Sequence, residues 1–296
     1  MSLVINHNLM AMNAARNLSQ SYNDLSVSTR RLSSGLRVST AADDAAGLAI
    51  RELMRSDIAS LNQGVRNAND AISLIQTADG ALGVIDEKLI RMKELAEQAS
   101  TGTYTSDQRM IIDSEYQAMA SEITRIANAT DFNGIYLLNG NLSSASHDGS
   151  GINATGKLKV HFGTGNASSE DYYYIQIGNA TASALGVGNQ SIENAGYSIS
   201  TQQGAQQALD ALNEAIVSKD KIRANLGALQ NRLENTITNL TIQAENLQAA
   251  ESRISDVDVA QEMTAFVRNQ ILTQSAVAML SQANSLPQMA MQLIQG

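Results

Sequence analysis

Cysteine and tryptophan are absent from this chain of 296 residues, proline occurs once, and aromatic residues make up 4% of it. Without cysteine there is no disulfide scaffold, no thiol redox chemistry and no cysteine-bound zinc module. With so few rings, the core cannot be built around large flat side chains. Basic residues are the minority, 20 against 29 acidic, for a net charge of −9. A protein that tracks nucleic-acid phosphates needs a basic stripe, so nucleic acid is not an expected partner. No apolar run approaches the ~18 residues of a bilayer span, so no membrane partner is expected either. Residues 1–18 lack the basic start and compact apolar run of a cleavable signal peptide. What is present is 43% apolar, mostly Ala, Leu, Ile, Val and Met. Such residues with almost no proline suit long helices, and their share is too high for a wholly disordered chain.

The helices show in the spacing. Leu18, Tyr22, Leu25, Leu32 and Leu36, with Thr29 filling the missing step, recur in alternating steps of 4 and 3. This is a heptad seam. Gly35 and the stretch from Val38 to Asp44 interrupt it, and Asp43 or Asp44 can cap a new helix. A second seam runs through Met54, Ile58, Leu61, Val65, Ala68, Ile72 and Ile75, then Ala78, Leu82, Ile85, Leu89, Met92 and Ala96. The short step from Ile75 to Ala78 is a stammer, which overwinds a coiled coil without ending it. A third helix is expected over about Asp107 to Ala129, with Ile111, Met119, Ile123 and Ile126 inward. Helical rhythm returns near Gln202. One seam takes Ile222, Leu226, Leu229, Leu233, Leu240, Leu247 and Ile254, with Thr236, Gln243 and Ala250 between them. A last amphipathic stretch carries Val259, Met263, Phe266, Val277 and Leu280, and Pro287 is expected to close it.

The middle reads differently. Asn133-Gly134 and Asn139-Gly140 are turn signals, and residues 141–156 read as a Ser-, Gly- and Asn-rich loop. Lys157 to Phe162 alternates, with Leu158, Val160 and Phe162 on one face and Lys157, Lys159 and His161 on the other. With Tyr172 to Ile177 it predicts an antiparallel hairpin, which must pack on the long helices because an isolated hairpin is marginal. The fold class is thus mainly α: a long antiparallel coiled-coil or helical bundle with its N- and C-terminal helices paired, plus a small β-hairpin insertion.

No catalytic, cofactor or metal site can be assembled. His7, His147 and His161 lie far apart and show no ligand spacing. Asp43-Asp44 reads as a helix N-terminus, where carboxylates favour the dipole. Gly163-Thr-Gly165 and Gly186-Val-Gly188 lack the context of a phosphate-binding fingerprint. N-x-[ST] triplets such as those at Asn128 and Asn141 arise by chance in so Asn- and Ser-rich a chain. The first 36 and last 40 residues are amphipathic but thinly furnished, and such helices bury too little alone to offset their ordering entropy. They should order when other copies supply the missing surface, which points to self-association.

At residues 31–50, RLSSGLRVSTAADDAAGLAI, the chain closely resembles bacterial flagellin. The likeness extends to Phe132-Asn133-Gly134, to residues 231–237, to AESRISDVDVAQEM at 250–263, and to AMLSQAN at 278–284 with Pro287. It covers roughly residues 1–140 and 175–296.

The resemblance implies a non-enzymatic filament subunit of two layers. An inner coiled-coil layer comprises residues 1–44 and 255–296. An outer helical layer comprises residues 45–254, with a β region at about 132–190 and no substantial third domain. Polymerisation would run through the terminal helices, at Ile5, Leu9, Leu18, Leu25, Leu32, Met263, Phe266, Val277 and Leu280. It further implies export through the flagellum without a cleavable signal, and a place in the extracellular filament. The implied partners are other copies of itself, an export chaperone and the export apparatus, and the filament cap and hook–filament junction proteins. A host Toll-like receptor is a further one, at positions matching Arg91, Leu95, Gln98 and Glu115. The rival readings are a flagellin-like hook–filament junction protein, which forms a short layer, and a coiled-coil adaptor of discrete size.

Overall fold

The computed structural model describes residues 8–148, 155–168, 170–187 and 198–295. Five helices dominate: α1 (Leu9–Ser34), α2 (Ala45–Ser100), α3 (Ser106–Ala129), α4 (Gln202–Ser255) and α5 (Val259–Gln295). Between α3 and α4 lie β1 (Asp131–Phe132), β2 (Ile135–Tyr136), β3 (His147–Asp148), β4 (Thr155–Gly156), β5 (Leu158–His161) and β6 (Tyr172–Ile175). They form three two-stranded antiparallel ribbons, β1 with β2, β3 with β4 and β5 with β6. The fold is mainly α with a small β insertion. The chain separates into two compact units, Met1–Ile58 with Glu245–Gly296, and Ala59–Ala244.

In the first unit, α1 begins where the Asn8 side chain accepts the Ala11 N–H and ends at Gly35, whose φ of 72° suits a residue without Cβ. The chain then crosses to the end of α4. Arg37 N donates to the Ser255 carbonyl, Val257 N to that of Gly35, and Leu36 bridges Asp256. Asp44 Oδ1 accepts the Gly47 N–H at 2.9 Å and so caps α2. Asp258 does the same for α5 through the Ala260 and Gln261 N–H groups.

α1 and α5 lie antiparallel. The inward side of α1 carries Ala14, Leu18, Ser21, Leu25, Ser28 and Leu32. Tyr22 and Thr29, placed in the seam by the spacing, instead face outward; Tyr22 is 63% exposed and Ser28 only 4%. A close helix pair has room for serine beside each leucine layer but not for a phenol ring. The facing side of α5 carries Glu262, Phe266, Asn269, Thr273, Ala276, Leu280 and Ala283. A second expectation also changes: α5 does not close at Pro287 but continues to Gln295. Proline removes one helical N–H without forbidding helical φ.

In the second unit, the predicted α2 seam is buried from Leu61 through Ala68, Ile75, Ala78, Leu82, Ile85, Leu89 and Met92 to Ala96. At the stammer Ala71 and Leu74 are buried beside Ile75, so a second column turns inward there. In α4, Leu212, Ala215, Lys219, Leu226, Leu233, Leu240 and Ala244 are buried. Ala244, not the exposed Gln243, takes the step after Leu240. α3 starts on a capping box between Thr105 and Gln108. It buries Tyr116, Ala120, Ile123 and Ala127, while Ile111 is 72% exposed rather than inward.

The predicted hairpin is β5 with β6, in register Leu158 to Ile175 and His161 to Tyr172. Val160 and Phe162 point to the core. Gly64 lets the strand end approach α2, since a Cβ there would collide with the Phe162 carbonyl. Asn67 Nδ2 donates to the His161 carbonyl at 2.8 Å. Asn133 and Gly134, both at positive φ, form the tight turn between β1 and β2. The 141–156 stretch, read as loop, carries β3 and β4.

Candidate assembly surface

The terminal pair leaves large apolar side chains uncovered. On α1 these are Leu9, Met10, Met12 and Tyr22; on α5 they are Val259, Met263, Val267, Ile271, Leu272, Val277 and Met279. A groove of about 640 Å³ runs between the two, bounded by Met10, Ala14, Ser21, Leu272, Ala276 and Met279. Of the predicted polymerisation residues, Leu18, Leu25, Leu32, Phe266 and Leu280 turn inward and hold the pair together. Leu9, Met263 and Val277 point away from it. Ile5 lies outside the described residues, as does His7. Spacing finds the amphipathic stripe but not its neighbour: Met10, Met12, Ile271 and Met279 were missed because they fall outside the seam.

The pair is polar at both ends of its contact. Asn8 Nδ2 donates to the Ala283 carbonyl at 2.8 Å, and Arg31 lies 3.6 Å from Glu262. Beside it, Arg51 is buried, donates to the Val38 carbonyl at 2.8 Å and lies 3.6 Å from Glu251. In the connection between α1 and α2, Asp43 accepts from the Thr40 hydroxyl and from the Ser39 and Thr40 backbone, with Arg30 at 2.8 Å. The Thr40 hydroxyl foremost, aided by those backbone donors and Arg30 against some burial, holds its carboxyl down at about 2. The Asp43-Asp44 pair thus divides its work between loop and helix cap.

In the second unit, Arg91 donates to Glu115 at 2.9 and 3.0 Å and to Glu94 at 2.9 Å. Gln98 Nε2 donates to the Tyr104 hydroxyl. Leu95, grouped with them as a receptor contact, is 2% exposed and belongs to the core. It packs inward with Met92 and Ala99, whereas Arg91, Glu94 and Gln98 lie on the adjoining exposed side of the helix. Met110, Ile111 and Ala118 of α3 complete an apolar strip beside Glu115. Burial, with the Asp113 charge beside it, pushes the Tyr116 hydroxyl above its ordinary range.

His147 and His161 pack against Tyr174 and Tyr172. Among the described residues no group of three His, Asp or Glu is placed to hold a metal ion. No helix there is long and apolar enough to cross a membrane.

A two-unit helical subunit whose paired ends display an uncovered apolar face belongs to the class of self-assembling structural proteins. The profile of the bacterial flagellin N-terminal helical region matches residues 5–143, and that of the flagellin C-terminal helical region matches residues 209–294. The flagellar filament 33 kDa core protein of Treponema phagedenis is 42% identical over 99% of this chain and 100% of its own. A flagellin of Halalkalibacterium halodurans is 43% identical over 99% and 100%. The solved flagellin of Bacillus cereus is 30% identical, covering 63% of this chain and 94% of that one, with a TM-score of 0.45. The chain belongs to the bacterial flagellin family and is a structural subunit of the flagellar filament.

Proposed function

We propose that this subunit polymerises through its terminal helices, residues 1–44 and 255–296, as the inner layer of the filament, with residues 45–254 as the outer layer. The observation that carries this reading is the uncovered apolar face of α1 and α5, from Leu9 and Met12 to Ile271 and Met279. Large apolar side chains in this number on one helix pair are rarely all left to water. Neighbouring copies cover it by presenting different surfaces to successive partners, a heterologous contact that does not close and so extends as an open helix. Many weak repeated contacts of this sort are suited to two packings, which lets the tube switch shape.

The subunit reaches the filament tip through the flagellum's own export apparatus, its ends passed unfolded by an export chaperone. The cap and the hook–filament junction proteins bound the polymer at its two ends. Arg91, Gln98 and Glu115 form the exposed stretch on which an innate Toll-like receptor would dock, with Leu95 supporting them from beneath.

The test is seeded assembly combined with limited proteolysis. Purified monomer should be cut before about Asp44 and after about Ile254, and seeds should extend it into micrometre filaments in which both ends are protected. Growth that stops at a short layer would make it a junction protein. A discrete small oligomer would make it an adaptor.

A further inference from the structure

The two helical seams of the terminal pair repeat every heptad. Leu18, Leu25 and Leu32 alternate with Ala14, Ser21 and Ser28 on α1, against Phe266, Thr273 and Leu280 alternating with Asn269, Ala276 and Ala283 on α5. Sliding one helix by seven residues again sets the leucine column of α1 against the Phe266, Thr273 and Leu280 column of α5, and the small column against Asn269, Ala276 and Ala283. Apolar packing of this kind leaves the register weakly specified, and unique polar contacts usually fix it.

One such contact is built from three residues. A helical carbonyl accepts the N–H of the residue four positions on. For Ala283 that residue is Pro287, which has none. The freed carbonyl belongs to a residue only 7% exposed, where an unmet acceptor is costly. Asn8 supplies the missing donor: Nδ2 lies 2.8 Å from Ala283 O, across 275 residues of sequence. The same side chain's Oδ1 accepts the Ala11 N–H at 3.0 Å and caps α1. Asn8 therefore has both halves of its amide engaged only when the start of α1 sits opposite this turn of α5. Arg31 and Glu262 tie the other end of the pair.

We propose that Asn8 and Pro287 form a register latch for the terminal helices. Pro287 exposes one carbonyl on α5 as a docking point, and Asn8 is the positioning residue that reads it. The latch rests on the filament reading above, in which this pair is the polymerising element. In that setting it admits one alignment of the two chain ends and disfavours alignments slipped by a heptad.

A double-mutant cycle in the full chain tests it. Asn8→Asp keeps the capping acceptor and removes the donor. Pro287→Ala restores a helical N–H for Ala283. Asn8→Asp alone should raise the critical concentration for assembly about fivefold, the worth of one hydrogen bond. In the Pro287→Ala background the same change should shift it less than twofold. Spin labels on cysteines introduced at the exposed positions 23 and 270 read register directly: the parent gives one distance, and Asn8→Asp adds a population displaced by a heptad, about 10 Å along the axis. Additive effects of the two substitutions, or an Asn8→Asp distance identical to the parent's, overturn the latch. A parent chain that never polymerises overturns the filament reading instead. The label distances then still judge the latch, and a broad distribution in the parent counts against it.

Discussion

Lys219 of α4 and Asp86 of α2 meet with Nζ 2.6 Å from Oδ1, and the lysine side chain is 2% exposed although it occupies a seam position between Ala215 and Ile222. Asp220 lies 2.7 Å from the same ammonium on its more exposed side. One turn on, Arg223 makes a forked pair with Asp79 at 2.7 and 3.2 Å. The two cations, four residues apart on α4, meet acids seven apart on α2, so they pin the antiparallel register of the two long helices.

Removing one partner of such a pair leaves a buried charge, whereas replacing the charge by an apolar side chain of equal length does not. Asp86→Asn should therefore destabilise the subunit, by ~1–2 kcal/mol rather than the full cost of an unpaired buried charge, because Asp220 stays beside the ammonium. Lys219→Met should fall within ~1 kcal/mol of the parent, because Asp86 keeps access to water. The double variant should recover most of the Asp86→Asn loss. Urea unfolding of the monomer followed by circular dichroism reads all three. An equal loss in both single variants would refute this account of the pair.

Asp43 gives a pH dependence with a definite sign. Its folded value of about 2 lies below the ordinary 3.8, so the ionised carboxylate favours the folded loop. That contribution is complete above 3.8 and fades as the pH falls through about 2. In assembled filaments, where the terminal segments are ordered, the melting temperature of the parent should thus exceed that of Asp43→Asn at pH 5, and the gap should narrow steadily toward pH 2 (~two pH units below the ordinary carboxylate range). A gap independent of pH would place the effect in packing instead of charge.

Gly64 is the point where the hairpin meets α2. Alanine is the better helix former by ~1 kcal/mol, yet its methyl would strike the Phe162 carbonyl, which is backbone and yields little. Gly64→Ala should be destabilising by a net ~1–2 kcal/mol, with loss of the Asn67 to His161 bond read as faster amide exchange in β5. A stabilised variant would mean that the strand end is free to move.

Much of this was legible in the sequence because apolar spacing reports helices directly. Most of the α2 seam follows from it, although Val65 and Ile72 are only half-buried while Ala71 and Leu74 turn inward. So does the β5–β6 pairing, from alternation on either side of a turn-rich segment. Spacing failed where size, not polarity, decides burial. Tyr22 carries far more apolar surface than Ser21, yet the close pair admits the serine. It also failed at Pro287, whose lost N–H is local but whose compensation by Asn8 is long-range. Arg91 and Glu115 were named from resemblance, and only the folded helices reveal that they bond each other while Leu95 lies beneath.

The seam assignment on α1 separates two surfaces that assembly uses differently. Ser28 sits inside the pair at 4% exposure, and Tyr22 outside it at 63%. Ser28→Leu forces the helices apart and should cost ~1–3 kcal/mol by overpacking, so both the label distance between α1 and α5 and filament growth should be disturbed. Tyr22→Ala removes a ring that is 63% exposed and lies outside the buried side of α1, so the label distance should stay as in the parent. Its loss should appear only in the polymer, as a raised critical concentration, because the ring belongs to the face that other copies cover. If Tyr22→Ala altered the distance while Ser28→Leu left it unchanged, the original spacing, with Tyr22 in the seam, would be the correct one.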